Sequence, residues 1–140
     1  MKYGIYFAYW EKEWAAEQIR YISKVKKLGF DILEISCGAF SDYYTKDQEL
    51  IDIGKYAKEK GVTLTAGYGP HFNESLSSSE PNTQKQAISF WKETLRKLKL
   101  MDIHIVGGAL YGYWPVDYSK PFDKKRDLEN SIKNMKIISQ

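Results

Sequence analysis

The chain has 140 residues, 43% of them hydrophobic and 28% charged, with a formal net charge of +3: enough to bury one core, so a single domain over residues 1–140 is expected. No apolar run nears the ~18 residues of a membrane span, the opening lacks the features of a secretory leader, and the lone Cys37 excludes an internal disulfide, so no membrane partner and a cytoplasmic location are expected. Lys and Arg are interleaved with Glu and Asp, the pattern of solvated faces rather than of a phosphate-tracking groove, and this argues against nucleic acid as a partner.

Along the chain the hydrophobic period switches repeatedly between two and about 3.6, which reads as βαβαβαβα. A first strand is predicted over Tyr3–Tyr9. A helix over Glu13–Leu28 follows, with Ile19, Ile22, Val25 and Leu28 on one side and Gly29 just past its end. The second strand, Asp31–Cys37, leads to a helix over Lys46–Lys60 that carries Leu50, Ile53 and Ala57 on one stripe. Strand three is Thr63–Gly67. The segment Gly69–Asn82 has no apolar period and contains Gly-Pro, Ser-Ser-Ser and Glu-Pro, so it is a long loop. A third helix begins at Asn82 or Thr83 and presents Ile88, Trp91, Leu95 and Leu98. Strand four, Ile103–Gly107, is followed by a second long loop, Gly108–Phe122, and a last helix with Leu128, Ile132, Met135 and Ile138 on one side.

The helix-to-strand junctions Leu28-Gly29-Phe30-Asp31, Lys60-Gly61-Val62-Thr63 and Leu100-Met101-Asp102-Ile103 are all short, whereas the strand-to-helix loops are long. That asymmetry is the mark of a βα barrel, whose binding face is built from the βα loops. A doubly wound nucleotide-binding sheet would want Gly-x-Gly-x-x-Gly after strand one, and the chain has Tyr-Trp-Glu-Lys-Glu there. Four βα units are half of the eight that close such a barrel, so the expected fold class is α/β, half of a (β/α)8 TIM barrel.

Four segments close the predicted strands with glycine and aromatic residues: Gly4-Ile-Tyr-Phe-Ala-Tyr-Trp10, Gly29-Phe-Asp-Ile-Leu-Glu-Ile35, Leu64-Thr-Ala-Gly-Tyr-Gly-Pro70 and Gly107-Gly-Ala-Leu-Tyr-Gly-Tyr-Trp-Pro115. Tyr6 shares its predicted strand face with Gly4 and Ala8, and Trp10, Trp14 and Trp114 fall in or near the rim loops. Rings around a small-residue floor suit the apolar C–H faces of a sugar, and Gly107, Gly108 and Ala109 let backbone approach a ligand. Alternation places Glu34 and His104 inside the barrel, so the two are expected to lie close together as a polar pair bracing the lumen; one His and one carboxylate are too few to hold a catalytic metal. His71 is a loop histidine expected in solvent, and Cys37, with no Cys or His beside it, is expected as a small buried residue.

These residues carry a resemblance. Gly4-Ile5-Tyr6 with Tyr9-Trp10 and Glu13-Trp14, Leu28-Gly29-Phe30-Asp31-Ile32-Leu33-Glu34-Ile35, Leu76-Ser77-Ser78, and Gly107-Gly108-Ala109-Leu110 with Tyr113-Trp114-Pro115 and Asp117-Tyr118 resemble the N-terminal half of the D-tagatose and D-psicose (D-allulose) 3-epimerases, xylose-isomerase-like TIM barrels. The resemblance implies a small-molecule ketose as ligand, with Tyr6, Trp14, Gly67, Ala109, Leu110 and Trp114 in the substrate-pocket wall. It implies C3 epimerisation through an enediolate polarised by a divalent Mn or Mg ion, with two glutamates as bases. In that family the metal ligands and both glutamates come from strands five to eight, so no metal and no catalytic residue is expected in this chain, and it is expected to be inactive alone. Two other readings stay open: a non-catalytic half-barrel that associates into a homo-oligomer, because open strand edges invite pairing, and a phosphosugar isomerase or metal hydrolase of the same barrel class, although the four rim segments contain no Arg to hold a phosphate.

Overall fold

The computed structural model describes residues 1–14, 17–39, 46–119 and 122–140. Strands β1 (Gly4–Tyr6), β2 (Ile32–Ser36), β3 (Thr63–Tyr68) and β4 (Val106–Gly108) form one sheet in the order β1-β2-β3-β4. Helices α1 (Tyr21–Lys27), α2 (Asp47–Glu59), α3 (Pro81–Leu100) and α4 (Lys124–Ile138) alternate with them. The chain divides into two compact units, one of residues 1–67 and 94–107, the other of residues 68–93 and 108–140.

In the first unit the sheet is parallel and its register assigns the faces. Tyr6 lies opposite Glu34 and Glu34 opposite Thr65, while Ile5, Leu33 and Leu64 form the adjacent row. Leu33, Ile35, Leu64 and Ala66 are buried, and α1 packs on β2 with Tyr21, Ile22 and Val25 buried. Aligned partners in a sheet point the same way and neighbours along a strand point oppositely, so Tyr6, Glu34 and Thr65 share the face away from that apolar row. This is the placement that alternation predicts for Glu34.

Three helix ends repeat one device. Gly29, Gly61 and Asp102 stand two residues past α1, α2 and α3, all with positive φ (85°, 64° and 61°). Each donates its N–H to the carbonyl three residues back, from Lys26, Lys58 and Lys99, and the next residue, Phe30, Val62 or Ile103, reaches back to Val25, Ala57 or Leu98. These are the crossed bonds that satisfy the last carbonyls of a helix when one residue turns left-handed. At the third junction the chain uses Asp, a residue that tolerates this conformation through its short polar side chain.

Several boundaries differ from the sequence expectation. β1 ends at Tyr6 and becomes a 3-10 turn over Phe7–Tyr9, so Ala8 does not continue the strand face. α1 starts at Tyr21, not Glu13, because the preceding residues are tied elsewhere: Glu11 takes the Tyr21 hydroxyl and the Arg20 guanidinium, and the buried Gln18 side chain accepts the Ser36 N–H at 2.6 Å. β4 begins at Val106 rather than Ile103, since Asp102 and Ile103 are spent closing α3. In the second unit α4 turns a different face inward from the one its apolar period suggests. Leu128, Ile132 and Met135 are exposed, while Ser131 and Asn134 are buried, because the Asn134 amide donates to the Leu76 carbonyl at 2.8 Å and the Asn130 amide to those of Ser77 and Ser78. Asp123 caps that helix by accepting from the Lys125 and Arg126 N–H groups, both at 3.1 Å, a bond pattern that satisfies orphan donors of the first turn.

Candidate functional site

Tyr6, Trp14 and Gly67 belong to the first unit. The Tyr6 and Trp14 rings lie 6.1 Å apart with Phe7 against both, and Trp14 is 65% exposed, so its ring offers a free face. Glu34 leans from its row toward the C-terminal ends of the strands: its Oε1 lies 2.8 Å from the point a Cβ on Gly67 would occupy. Gly67 therefore makes room for a carboxylate. Trp10, by contrast, stacks on Tyr21 at 5.2 Å and 13°, with Lys24 Nζ 4.5 Å above it, which makes it a brace for α1.

His104 does not join Glu34. The Ala66 N–H donates to the Ile105 carbonyl at 2.9 Å, the same bond that, from Thr63 to Asp31, accompanies Thr63 opposite Ile32. By that geometry Val106 sits opposite Ala66 and Ile105 opposite Thr65, so Ile105 shares the Glu34 face and His104 is one position out of phase. Its Nε2 instead meets Asp102 Oδ1 at 2.9 Å, in solvent. The expected Glu34–His104 pair is thus replaced by an exposed Asp102–His104 pair; the phase is set by the register in which Ala66 meets Ile105 across β3 and β4.

In the second unit Ala109, Leu110 and Trp114 are carried on a turn pinned to residues 68–70. The Ala109 N–H donates to the Tyr68 carbonyl at 3.1 Å, the Trp114 N–H to the Pro70 carbonyl at 2.7 Å, and the Gly112 N–H closes the turn on Ala109 at 3.2 Å. Trp114 precedes a cis proline and its Cβ lies 3.0 Å from where a Gly69 Cβ would stand. Leu110 is half-buried, and the Trp114 ring is 62% exposed. The Tyr68 hydroxyl and the His71 N–H both donate to Glu74 Oε2, at 2.8 and 2.7 Å, and the His71 ring is exposed, as expected for a loop histidine.

With this geometry in place, the known proteins are informative. Over all 140 residues the chain is 54% identical to the D-psicose 3-epimerase of Enterocloster bolteae and 45% identical to that of Ruminiclostridium cellulolyticum, covering 46% and 47% of those proteins. The chain matches the D-psicose 3-epimerases over about half of their length. The crystal structure of D-psicose 3-epimerase with D-tagatose from Clostridium cellulolyticum H10 superposes with a TM-score of 0.93 at 45% identity, over 99% of this chain and 47% of that one. A D-allulose 3-epimerase from Methylomonas sp. gives a TM-score of 0.77 at 17% identity, which speaks to the fold alone. No protein-family model matches the chain. The fold is four βα units, half of a (β/α)8 barrel of the kind these epimerases share.

Among the described residues no group of three His, Cys, Asp or Glu side chains could hold an ion, and no helix among them is long and apolar enough to cross a membrane. Sequence reasoning missed Gln18, which also donates to the Trp14 carbonyl at 3.4 Å, and Glu74. A polar residue inside an otherwise apolar helical pattern was the available signal for Gln18; nothing in the local sequence marked Glu74.

Burial, then the Glu34 charge, pushes the Tyr6 phenol up to about 12, against the pull of a Ser36 hydrogen bond. Burial likewise pushes the Cys37 thiol up to about 12, opposed by a backbone hydrogen bond and reinforced by Glu34. Both groups therefore stay protonated in the folded chain where the unfolded chain, with ordinary values of 10.0 and 9.0, gives up its protons. Their contribution to stability is complete below pH 9 and is lost as the pH rises from there toward 12. Urea midpoints should fall over that range and less so in Tyr6→Phe, and Cys37 should resist a thiol reagent at pH 8 until the chain is unfolded; a thiol that reacts freely in the folded chain would contradict its burial.

Proposed function

We propose that this chain supplies part of the sugar-binding wall of a ketose 3-epimerase for free ketohexoses of the D-psicose, D-fructose and D-tagatose class, and that alone it binds a ketose without turning it over. The observation that carries this reading is the match along the entire chain to D-psicose 3-epimerases, one of them solved with D-tagatose. The rim chemistry supports it. In the first unit Tyr6 and Trp14 offer faces to sugar C–H groups and Gly67 removes bulk beside Glu34; in the second unit Trp114 offers another ring face, Leu110 adds an apolar side chain and the Ala109 turn exposes backbone. A divalent Mn or Mg ion would supply the Lewis-acid chemistry of C3 epimerisation; the part of this chain is to bind and orient the sugar and to shield it from water.

The test is to add D-psicose or D-fructose with Mn²⁺ to the purified chain and follow C3 inversion by chromatography and binding by tryptophan fluorescence. Saturable quenching with no epimer above the buffer rate is expected; turnover would overturn the claim of inactivity, and an unchanged spectrum the claim of a sugar wall. A second reading, self-association as a half-barrel module, is favoured by the exposure of Ile105 on the Glu34 face and of Leu128, Ile132 and Met135 on α4. Sedimentation of the same sample distinguishes it: a concentration-independent monomer would rule it out.

A further inference from the structure

We propose that Glu34 is a sugar-binding residue, its carboxylate accepting hydrogen bonds from neighbouring hydroxyl groups of the ketose. This rests on the reading of the chain as a ketose-binding wall and adds to it a residue that the family likeness does not supply.

Four observations converge on Glu34. Its side chain is half-buried in the middle of β2, yet its carboxylate has no hydrogen-bond partner among the described residues. The groups around it do not neutralise it: Tyr6 shares its row and holds its proton, and His104 is out of phase and bonded to Asp102. A half-buried carboxylate without donors is costly unless donors come from outside the protein. Second, the carboxylate is aimed. Its own register partner on β3 is Thr65, but its Oε1 lies beside Gly67, two residues nearer the C-terminal ends of the strands, which is where barrels of this class bind small molecules.

Third, that placement depends on a glycine. A Cβ on Gly67 would stand 2.8 Å from Oε1 and 3.3 Å from the carboxyl carbon of Glu34, so any larger residue would push the carboxylate from its position. Gly67 has no positive φ to explain it, and the room it leaves is occupied by Glu34. Fourth, the neighbouring surface suits the rest of a sugar. Tyr6 stands opposite Glu34 in the β1–β2 register and the Trp14 ring lies 6.1 Å from the Tyr6 ring, so an aromatic pair begins next to an acceptor-only group. A polyol hydroxyl is the ligand that fits this combination: its O–H donates to the carboxylate in a charge-assisted bond, while its C–H faces lie on the rings. A neutral apolar ligand would leave the carboxylate unpaired.

The experiment is an NMR titration of the isotopically labelled chain with D-psicose, reading the Glu34 carboxyl carbon and the tryptophan indoles. Expected is a saturable shift at the Glu34 carboxyl, with Glu34→Gln weakening binding about tenfold, because a neutral amide replaces the charged acceptor. Gly67→Ala should weaken it several-fold by displacing the carboxylate while leaving its charge intact. Equal affinity in wild type and Glu34→Gln, with the indoles still saturating, would overturn the role of Glu34 and leave the sugar wall standing. A wild-type chain whose indoles do not respond would overturn the wall and this proposal with it. The carboxyl shift is read in the wild type, so the test does not depend on either variant folding.

Discussion

Gly108→Ala should destabilise the chain by about 3 to 5 kcal/mol, the sum expected for a strained backbone and an unrelievable contact, and should abolish whatever ketose binding the Ala109 turn supports. Gly108 adopts φ 105°, a conformation closed to L side chains, and a Cβ there would sit 2.2 Å from the Tyr68 carbonyl oxygen and 2.9 Å from its nitrogen. Both are backbone atoms of β3, so no rotamer change can yield. The same Tyr68 carbonyl accepts from Ala109, and pushing it away breaks the bond that presents Ala109 at the rim. Gly107 is the control. A Cβ on it meets nothing within 4 Å and its φ is ordinary, so Gly107→Ala should shift the urea midpoint little, within about 0.5 kcal/mol. If the two alanine variants melt together, the close approach of residue 108 to β3 is wrong.

The glycine pair shows what a single sequence conveys and what it withholds. Gly107-Gly108 announces a tight strand end, but which of the two is irreplaceable depends on the approach of Tyr68, a neighbour distant in sequence. The alternation of β and α and the short junctions at Gly29, Gly61 and Asp102 were legible because they are local: a helix end needs a left-handed residue wherever it falls. Which face of β2 carries Glu34 was legible too, since period two separates it from Leu33 and Ile35. The phase of β4 was not, because it is set by a long-range register, the bond from the Ala66 N–H to the Ile105 carbonyl, and that register puts Ile105 rather than His104 on the Glu34 face. The inward face of α4 was equally hidden. Leu128, Ile132 and Met135 form the apolar stripe, but the surface available to the helix offers the carbonyls of Leu76, Ser77 and Ser78, and Asn130 and Asn134 answer them.

Trp91→Ala should cost about 3 to 5 kcal/mol and loosen the rim from Tyr68 to Leu76. Trp91 is 1% exposed on α3, edge-on to Tyr68 at 5.9 Å and to Phe90 at 5.5 Å. Its indole N–H donates to the Glu74 carbonyl at 3.3 Å, while the Glu74 side chain receives the Tyr68 hydroxyl and the His71 N–H. Removing the indole therefore leaves a cavity and takes away a donor that ties this loop to the helix. The two losses separate experimentally. Trp91→Phe keeps most of the ring and drops only the N–H, so it should cost about 1 kcal/mol in urea denaturation while already raising amide exchange at residues 72–76. An alanine variant as stable as the phenylalanine variant would show that packing contributes little here. Equal exchange in Trp91→Phe and wild type would show that the indole N–H adds nothing to the hold on Glu74, and that α3 orders this loop by ring packing on Tyr68 alone.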